Sequence, residues 1–276
     1  MTKPTISFEF FPAKTSDGHE SLLKTGEILS ELTPLYLTVT YGAGGSTREG
    51  TVKTILDMRK KTSAPIAAHL TFINTPIDDL KSYADDLWNQ GIHHIIALRG
   101  DMPSNLQWPL DPDQDYFQFT SNFVEAIKSW HDFEVTVGAY PEKHPDSPSL
   151  ALDMIALQKK CEAGADRAIS QFFFDNQVFL TFAEVCKHMQ IAAPIVPGLL
   201  PIHDFQSMCA FAEKCHTTVP PWLRERFENC SNPKQTAIDT LYEQAKNLID
   251  HGVPHLHFYT LNKADIVYDV CKKLGY

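Results

Sequence analysis

Short runs of apolar, β-branched and aromatic residues alternate with longer stretches of helical periodicity along the whole chain. Runs of this kind, bounded by turn-forming residues, predict buried strands, whereas apolar positions three or four apart predict helices. Eight segments fit the strand pattern, and they begin near Thr5, Leu35, Pro65, His93, Glu134, Arg167, Pro194 and His255. The first four begin 30, 30 and 28 residues apart, about the length of a strand with its crossover helix. The pattern therefore predicts repeated βα units.

Signals for helix ends fall between the predicted strands. Gly91, Gly164 and Gly252 each follow a helical stretch and precede a strand, where a left-handed glycine commonly ends a helix. Thr75-Pro76 and Ser147-Pro148 predict helix starts, because each places a capping hydroxyl before a proline at the first helical position. Both kinds of signal support the alternation of strands and helices.

Eight βα units in a chain of 276 residues most economically close into one barrel, so we predict an α/β fold, a (β/α)8 TIM barrel with a single domain over residues 1–276. A doubly wound sheet would normally carry a glycine-rich phosphate loop. The run Gly42–Gly45 lacks the third glycine of that motif, because Thr47 takes its place. Two intervals are long: Met102–Asp115 is predicted to be an insertion loop, and two helical patterns are predicted around Val219–Trp222.

Composition and charge exclude several classes of function. The 24 basic and 34 acidic residues give a net charge of −10, and no Lys/Arg run is present to track nucleic-acid phosphates. No stretch of about 18 apolar residues predicts a membrane span, and the N-terminus lacks a signal-peptide core, so we expect a cytoplasmic protein. The 6 cysteines show no CxxC pair or zinc-ligand spacing, which favours buried free thiols.

Barrel enzymes place their chemistry at the carboxyl ends of the strands. The residues predicted there are Glu9, Thr40, His69, Arg99, Gly100, Asp101, Tyr140, Gln171, Leu200, Pro201, Thr260 and Lys263. Strand alternation places Ser7 and Glu9 on the inner face, and turns Phe8 and Phe10 outward to the helices. This predicted ring is far more polar than the strands behind it.

Among these residues, Glu9 is the strongest candidate for a catalytic role. A carboxyl among Phe8, Phe10 and Phe11 is poorly solvated, and we expect burial to raise its pKa, which would suit a general acid. The alternative is a carboxylate that pairs with a nearby base for structural reasons. Position at the predicted barrel mouth favours the functional interpretation.

The other mouth residues leave their chemistry open. Gly100 permits close approach of a ligand between the cation Arg99 and the carboxylate Asp101, although an ion pair within a turn would explain the same three residues. The amide of Gln171 both donates and accepts, which suits a pterin or a flavin. His255 and His257 share one face of the last strand, and structural roles are favoured for them over metal binding. Residue chemistry alone names no reaction.

Eight segments, which follow one another in order over nearly the whole chain, resemble segments of the methylenetetrahydrofolate reductase family. They are SFEFFP (7–12), VTYGAGG (39–45), AHLT (68–71), ALRGDMP (97–103), AYPEKHP (139–145), GADRAISQFFFD (164–175), PGLLPI (197–202) and HFYTLNKAD (257–265). The resemblance implies a (β/α)8 barrel with FAD at its mouth. It implies that NAD(P)H reduces the flavin and leaves, that methylenetetrahydrofolate is then reduced to methyltetrahydrofolate, and that the protein is a homo-oligomer.

The resemblance also assigns roles to residues. Glu9 is implied as the general acid that protonates the folate, while Asp101 and Gln171 complete the catalytic set. The cofactor-binding set implied for FAD is Thr40, Tyr41, His69, Arg99, Gly100, Asp101, Thr120, Tyr140, His144, Asp153, Lys159 and Lys160. The substrate-binding set is Gln171, Phe211, Ser207 and Lys263.

Four positions depart from the family pattern. Phe119 stands where relatives often have Tyr, Ala156 where an Asn often contacts FAD, Ser207 where an amide is expected, and Lys263 where an Arg is common. We expect altered affinities with the reaction retained. Two alternatives stay open: a metal-dependent barrel lyase or hydrolase that uses Glu9 and Asp101 as an acid/base pair, and a pterin- or flavin-binding protein without catalysis.

Overall fold

A computed structural model describes residues 3–41, 48–104, 108–111 and 115–276. The glycine run at 42–45 and parts of the predicted insertion loop lie outside the described residues. Nine parallel strands form one sheet that curls into a nearly closed barrel, as the sequence pattern predicts. The strands are β1 Thr5–Phe10, β2 Tyr36–Val39, β3 Ile66–Thr71, β4 His94–Leu98, β5 Glu134–Ala139, β6 Arg167–Ser170, β7 Ile195–Val196, β8 Gly198–Leu199 and β9 His255–Tyr259.

The seventh predicted strand is in fact two short strands separated by Pro197. Strand β7 pairs with β6, whereas β8 pairs with β9, so the chain changes its neighbour at a residue that has no N–H for the ladder. Gly198 follows directly, and a Cβ at this position would overlap the carbonyl oxygen of Ser170 and the ring of Tyr259. This close approach brings the two edges of the sheet together.

Ten helices are described around the sheet. They are α1 Ser16–Ser30, α2 Arg48–Arg59, α3 Ile77–Asn89, α4 Thr120–Trp130, α5 Leu150–Glu162, α6 Asn176–His188, α7 Phe205–Lys214, α8 Pro221–Glu228, α9 Pro233–Asp250 and α10 Asp265–Lys273. The segment between the last two barrel positions therefore contains three helices, and the prediction of two was wrong. Pro233, at the first helical position after the capping side chain of Asn232, starts the additional helix. In the described part of the chain, no helix is long and apolar enough to cross a membrane.

Helix ends followed the sequence signals better than helix starts. Gly91, Gly164 and Gly252 have φ of 71°, 108° and 84° after α3, α5 and α9, which confirms the three predicted ends. The two predicted starts were wrong by one or two positions. Helix α3 begins at Ile77 without a side-chain cap, and α5 begins at Leu150 with Ser149 as its cap.

Apolar side chains fill the layer between the sheet and the helices. Phe8 and Phe10 of β1 are fully buried in this layer, and Phe8 packs against Phe258 of β9 at 5.9 Å between ring centroids. The predicted outward direction of these two phenylalanines is confirmed. The alternate residues of the same strands face the barrel interior, where the side chains are polar.

The amino ends of the strands contribute a polar layer that we call the floor cluster: Tyr36, His94, Glu134, Arg167 and His255, the first residues of five strands. Arg167 forms an ion pair with Glu134 and lies 5.2 Å from the ring of Tyr36. The His94 ring meets the edge of Tyr36 at 4.7 Å. Burial lowers the pKa of His94 and of His255 to about 3 each, with the nearby cation Arg167 acting in the same direction. Both imidazoles are therefore neutral at physiological pH.

Candidate active site

A cavity of about 1700 Å³ opens where the barrel strands reach their carboxyl ends. It is lined by the residues that the sequence placed in the site, except Leu200, Pro201, Ser207 and Lys263. The predicted residues that line it are Glu9, Thr40, Tyr41, His69, Arg99, Gly100, Asp101, Thr120, Tyr140, His144, Asp153, Lys159, Lys160, Gln171 and Phe211. Ligand pockets in proteins usually measure about 300–1,000 Å³, so this cavity has room for more than one small molecule.

Glu9 lies at the base of the cavity between two imidazoles. Its Oε2 is 3.4 Å from Nε2 of His69 on β3 and 3.6 Å from Nε2 of His257 on β9. The side chain of Glu9 is 19% exposed, whereas that of His257 is fully buried. Strands β1 and β9 pair with Ser7 opposite His257 and Glu9 opposite Tyr259, so the neighbouring strand delivers the second imidazole.

The predicted rise in the pKa of Glu9 was wrong for the protein without ligands. Burial raises this pKa, but the charge of His69 and the close polar approach of both imidazoles act in the opposite direction and hold it at about 2. The phenylalanines that suggested an apolar pocket point away from the carboxyl, into the layer beneath the helices. The interior neighbours, which come from other strands, decide the direction of the shift.

Hydroxyl groups contact both imidazoles, at the far nitrogen of His257 and at the same nitrogen of His69 that approaches Glu9. The Oγ of Ser7 lies 2.7 Å from Nδ1 of His257 and 2.8 Å from Nε2 of His255. The Oγ1 of Thr38 lies 3.3 Å from Nε2 of His69. Ser7 and Thr38 are fully buried. We call Glu9, His69, His257 and Ser7 the mouth cluster.

Arg99 and Asp101 do not form the internal ion pair that was one interpretation of their sequence. The guanidinium of Arg99 instead donates to Oδ2 of Asp146 at 2.6 Å, which links the loop after β4 to the loop after β5. Gly100 between them has φ of 94°, and a Cβ there would lie 2.8 Å from a methyl of Ile73. Asp101 is exposed at the rim of the cavity and, among the described residues, has no ion-pair partner.

Gln171 follows β6 and presents its amide to the cavity. Its Oε1 accepts from the backbone N–H of Phe172 at 3.0 Å, so its Nε2 remains available as a donor. Phe172 stacks on Phe211 of α7 at 5.3 Å between centroids, and the Phe211 side chain is 42% exposed. The hydroxyl of Tyr259 donates to the carbonyl of Ser170 at 2.7 Å. An amide and an exposed aromatic face thus lie on one side of the cavity.

The loop after β5 is held by its own polar contacts. Asp153, in the first turn of α5, accepts from the backbone N–H of His144 at 2.9 Å, and the His144 ring meets the edge of Tyr140 at 4.5 Å. Burial is the main cause that lowers the pKa of His144. Burial also raises the pKa of Tyr140 to about 12. Both side chains therefore enter the cavity wall uncharged.

The two lysines of α5 differ in their environment. Lys160 is partly buried and donates to the carbonyl of Gly138 at 2.6 Å, and burial lowers its pKa. Lys159 is exposed on the wall of the cavity. Lys159 is therefore the cation of this pair that is available to an anionic ligand.

Sequence reasoning missed an apolar end of the cavity. Trp108 and Phe119 meet edge to face at 5.4 Å and are 40% and 59% exposed. Leu152 and Ile155 of α5, 50% and 41% exposed, line the same cavity. Exposed large apolar side chains at a cavity mark a surface that a ligand can cover. For Leu152 and Ile155, the signal in the sequence was an apolar residue at a position where α5 should face solvent.

Two predicted substrate residues lie outside the cavity lining. Ser207 is in the first turn of α7, where its backbone N–H is capped by Asp204 at 2.8 Å. Lys263 follows β9, with its backbone N–H bonded to the carbonyl of Thr260 at 3.0 Å. Thr260 and Leu261 do line the cavity, so Lys263 stands next to its rim. Roles for these two residues stay predictions.

A family model for methylenetetrahydrofolate reductase matches residues 1–275. The 5,10-methylenetetrahydrofolate reductase of Salmonella typhimurium is 38% identical over 98% of this chain and 90% of its own length. The chain belongs to the methylenetetrahydrofolate reductase family. The enzyme of Pectobacterium carotovorum is 39% identical over the same shares, and methylenetetrahydrofolate reductase (NADH) 1 of Arabidopsis thaliana is 34% identical over 98% of this chain and 48% of its own length. The prediction of an enzyme of this family is confirmed.

Solved structures with little sequence identity share the fold. A Clostridium thermocellum protein that binds two copies of 5-methyl-5,6,7,8-tetrahydrofolic acid has a TM-score of 0.65 at 15% identity, over 99% of this chain and 95% of its own. A dihydropteroate synthase of Coxiella burnetii, in complex with pteroic acid, has a TM-score of 0.56 at 13% identity, over 100% and 93%. These likenesses support the barrel architecture.

The metal-dependent alternative finds no support. Among the described residues, no group of three or more His, Cys, Asp and Glu side chains is arranged to hold a metal ion. His69 and His257, either of which would hold the metal in that hypothesis, lie against Glu9. Family membership also favours the reductase over a lyase or hydrolase.

Proposed function

We propose that this chain reduces 5,10-methylenetetrahydrofolate to 5-methyltetrahydrofolate, with FAD as cofactor and NAD(P)H as the source of electrons. One observation carries the proposal beyond family membership. The carboxyl of Glu9 and the amide of Gln171 line one cavity whose volume, about 1700 Å³, exceeds that of a single small ligand. A proton donor and an amide recognition group are what reduction of a folate requires of the protein.

The residues of the cavity fit FAD. The apolar end formed by Trp108, Phe119, Leu152 and Ile155 suits an adenine ring. The cations and hydroxyl group of Lys159, Arg99 and Thr120, which line the same cavity, suit a diphosphate and a ribityl chain. When bound, FAD would supply the means of taking a hydride from NAD(P)H and delivering it to the folate.

The proposal includes a ping-pong order. Gln171 and Phe211 form one exposed recognition surface beside Glu9, and Phe211 stacks on Phe172 with its outer face uncovered. One such surface accommodates the nicotinamide and the pterin in turn. The first product therefore leaves before the second substrate binds.

Glu9 would deliver the proton that opens the five-membered ring of the folate. The proton on its carboxyl moves to the substrate nitrogen as the bond from that nitrogen to the methylene carbon breaks, which leaves an iminium on the substrate and a carboxylate on Glu9. A bound folate removes the remaining water from Glu9 and strengthens the effect of burial, which raises the pKa. The acid role requires the effect of burial in the complex to exceed that of the two imidazoles, which lowers the pKa.

Asp101 and Gln171 would orient the pterin by hydrogen bonds. The Asp101 carboxylate, with no ion-pair partner in the described residues, accepts from ring N–H groups, while Nε2 of Gln171 donates to a ring oxygen or nitrogen. The departures leave this set intact. Phe119 removes a hydroxyl and Ala156 an amide from the cavity wall, so weaker retention of FAD is expected, with the chemistry retained.

A visible absorption spectrum tests the proposal. The purified protein should show a flavin spectrum that bleaches under anaerobic NADH or NADPH and returns when methylenetetrahydrofolate is added. The nucleotide that bleaches it faster identifies the preferred donor. Protein that stays colourless, and inactive after FAD is added, would contradict the proposal.

Two further parts of the proposal concern the setting of the enzyme. We propose a homo-oligomer, which sedimentation velocity would distinguish from a monomer of 31.1 kDa. We also propose a cytoplasmic location, in line with the free cysteines of the described chain. Fractionation of the producing cell would check the location.

A further inference from the structure

The two oxygens of Glu9 have different surroundings. Both imidazoles of the mouth cluster approach the same atom, Oε2, at 3.4 Å from His69 and 3.6 Å from His257. Among the described residues, no side chain or backbone group bonds Oε1. The two imidazoles therefore contact the carboxyl through Oε2, and Oε1 is left available to a ligand in the cavity.

His257 has one nitrogen satisfied and one left over. Its Nδ1 lies 2.7 Å from the Ser7 hydroxyl, whereas its Nε2 is buried without a hydrogen-bond partner. The nearest acceptor is Oε2 of Glu9, at a distance longer than the usual 3 Å or so of a hydrogen bond. A buried imidazole nitrogen without a partner is costly, so this side chain is set to close onto Glu9.

The hydrogen-bond chain behind His257 determines which nitrogen carries its proton. A carboxylate only accepts, so the nitrogen that faces Glu9 has to be Nε2–H. With its proton on Nε2, His257 accepts at Nδ1 from the Ser7 hydroxyl, and the Ser7 oxygen accepts in turn from Nε2–H of His255, 2.8 Å away. His255 is neutral at physiological pH, which agrees with one donor nitrogen per ring.

We infer that His257 is a positioning residue for Glu9, with its tautomer set by Ser7 and His255. It donates Nε2–H to Oε2 of Glu9 and so leaves Oε1 as the atom that holds the transferable proton toward the cavity. This inference rests on the proposed function, because it specifies how the acid of that reaction is oriented. When Glu9 has given up its proton, the same donor stabilises the carboxylate that remains.

The titratable and charged groups around His257 come from several strands. On β1 it faces Glu9, and on β3 it faces His69 across the carboxyl. His255 and Tyr259 precede and follow it on β9, and the Tyr259 ring lies 5.2 Å away. His94 of β4 and Arg167 of β6 lie on the far side of Tyr36. A pH profile of the reaction therefore reports this whole set, and single variants are needed to separate its members.

The test uses three variants of the full-length protein loaded with FAD. His257→Gln retains an amide N–H near the position of Nε2, His257→Asn is too short to reach Glu9, and Ser7→Ala leaves the tautomer unset. Anaerobic rapid mixing of the reduced protein with methylenetetrahydrofolate measures the folate half-reaction between pH 5 and pH 9. Flavin reduction by NADH in the same samples is the internal comparison.

We expect His257→Asn to slow the folate half-reaction roughly 10- to 100-fold and to shift its pH profile, the loss that removal of one hydrogen bond to a charged group predicts. His257→Gln should recover most of the rate, and Ser7→Ala should lose several-fold, about the effect of a mixed tautomer population. His94→Gln, which removes another buried imidazole of the barrel interior, is the matched control for stability.

Equal losses in His257→Gln and His257→Asn, or wild-type pH profiles in both, would overturn the inference. Losses matched by His94→Gln would assign His257 a merely structural role and overturn it too. If a His257 variant does not fold, the Ser7→Ala profile decides, and a profile identical to wild type counts against the inference. Wild-type protein whose reduced flavin is not reoxidised by methylenetetrahydrofolate would instead contradict the proposed function.

Discussion

The mouth cluster and the floor cluster contain the same kinds of side chain in one barrel interior but differ in how the carboxylate is paired. In the floor cluster, Glu134 pairs with the guanidinium of Arg167, which carries its charge at every physiological pH. In the mouth cluster, the imidazoles of His69 and His257 are the charged or titratable groups that approach the Glu9 carboxyl within the described part of the chain. A guanidinium keeps its charge and holds Glu134 in a fixed ion pair, whereas Glu9 has no such permanent cation among the described residues.

Access to solvent and ligand also separates the two clusters. Glu9 opens into the cavity, whereas the imidazoles of the floor cluster are buried and neutral. The two ends of the barrel therefore differ in access: the Glu9 carboxyl can reach a ligand in the cavity, whereas the floor-cluster imidazoles cannot. We expect changes in the mouth cluster to affect turnover and changes in the floor cluster to affect stability.

The largest expected effect is that of Glu9→Gln. Loss of the transferable proton should slow the folate half-reaction by about 10²–10⁴-fold, the usual contribution of a general acid, and should slow flavin reduction by NADH far less. Rapid-mixing absorbance measurements of both half-reactions would check this. Parallel losses in the two half-reactions would remove Glu9 from the role of acid.

Glu134→Gln is the matched change in the floor cluster. Its carboxylate is partly exposed, so loss of the ion pair with Arg167 should lower the free energy of unfolding by about 1 kcal/mol. The folate half-reaction should stay close to wild type. A turnover defect as large as that of Glu9→Gln would show that the two clusters do not differ as described.

Asp101→Asn comes next in size. Removal of the negative charge at the rim should slow folate reduction roughly 10- to 100-fold, since hydrogen bonds to a charged group contribute about 1.5–3 kcal/mol. Retention of FAD, measured by fluorescence of flavin released on dilution, should fall less than the rate does. An unchanged rate would exclude Asp101 from the catalytic set.

His94→Gln should change how stability depends on pH. The pKa of His94 is lowered to about 3 in the folded protein from 6.5, so the unfolded state binds a proton that the folded state does not between these two values. The free energy of unfolding should therefore fall as pH drops below 6.5, by up to about 1.4 kcal/mol per pH unit for this residue. Urea unfolding of His94→Gln at several pH values should show a smaller dependence, and an equally steep one would contradict the assignment.

The smallest expected effect is that of Thr38→Val. Its hydroxyl lies 3.3 Å from Nε2 of His69, so its loss frees that imidazole to turn while leaving the contact with Glu9. The folate half-reaction should slow by about 3- to 10-fold, which corresponds to one neutral hydrogen bond. An effect as large as that of Glu9→Gln would place Thr38 in the mouth cluster proper.

The sequence predicted the strands well because their signal is local. Alternation and turn residues on either side of β1 or β4 identify the strand and its inner face without knowledge of its neighbours. The division of the seventh strand at Pro197 was missed, because a change of partner from β6 to β9 depends on the closure of the whole barrel. The additional helix before β9 was missed because Pro221 and Pro233, each of which lies in the first turn of a separate helix, were not distinguished in the sequence pattern.

The sequence also predicted which residues meet at the site, but not how they are paired. Glu9 was placed correctly, yet its pKa was assigned from Phe8 and Phe10, its neighbours in the chain. His69 and His257, which lie 60 and 248 positions away, determine the direction of the shift. Contacts between residues so far apart in the chain depend on the register of the sheet, and that register cannot be predicted from one sequence.

The pairing of β1 with β9 has a consequence for the order in which the enzyme becomes competent. These strands are joined by parallel pairs such as Ser7 with His257, and about 250 residues of chain separate them. Contacts of such high sequence separation form late, because much of the chain has to be ordered before they are gained. A chain still emerging from the ribosome, in which β9 has not been synthesised, contains Glu9 without His257. Glu9, the proposed acid, therefore meets the imidazole proposed to orient it only when the barrel closes.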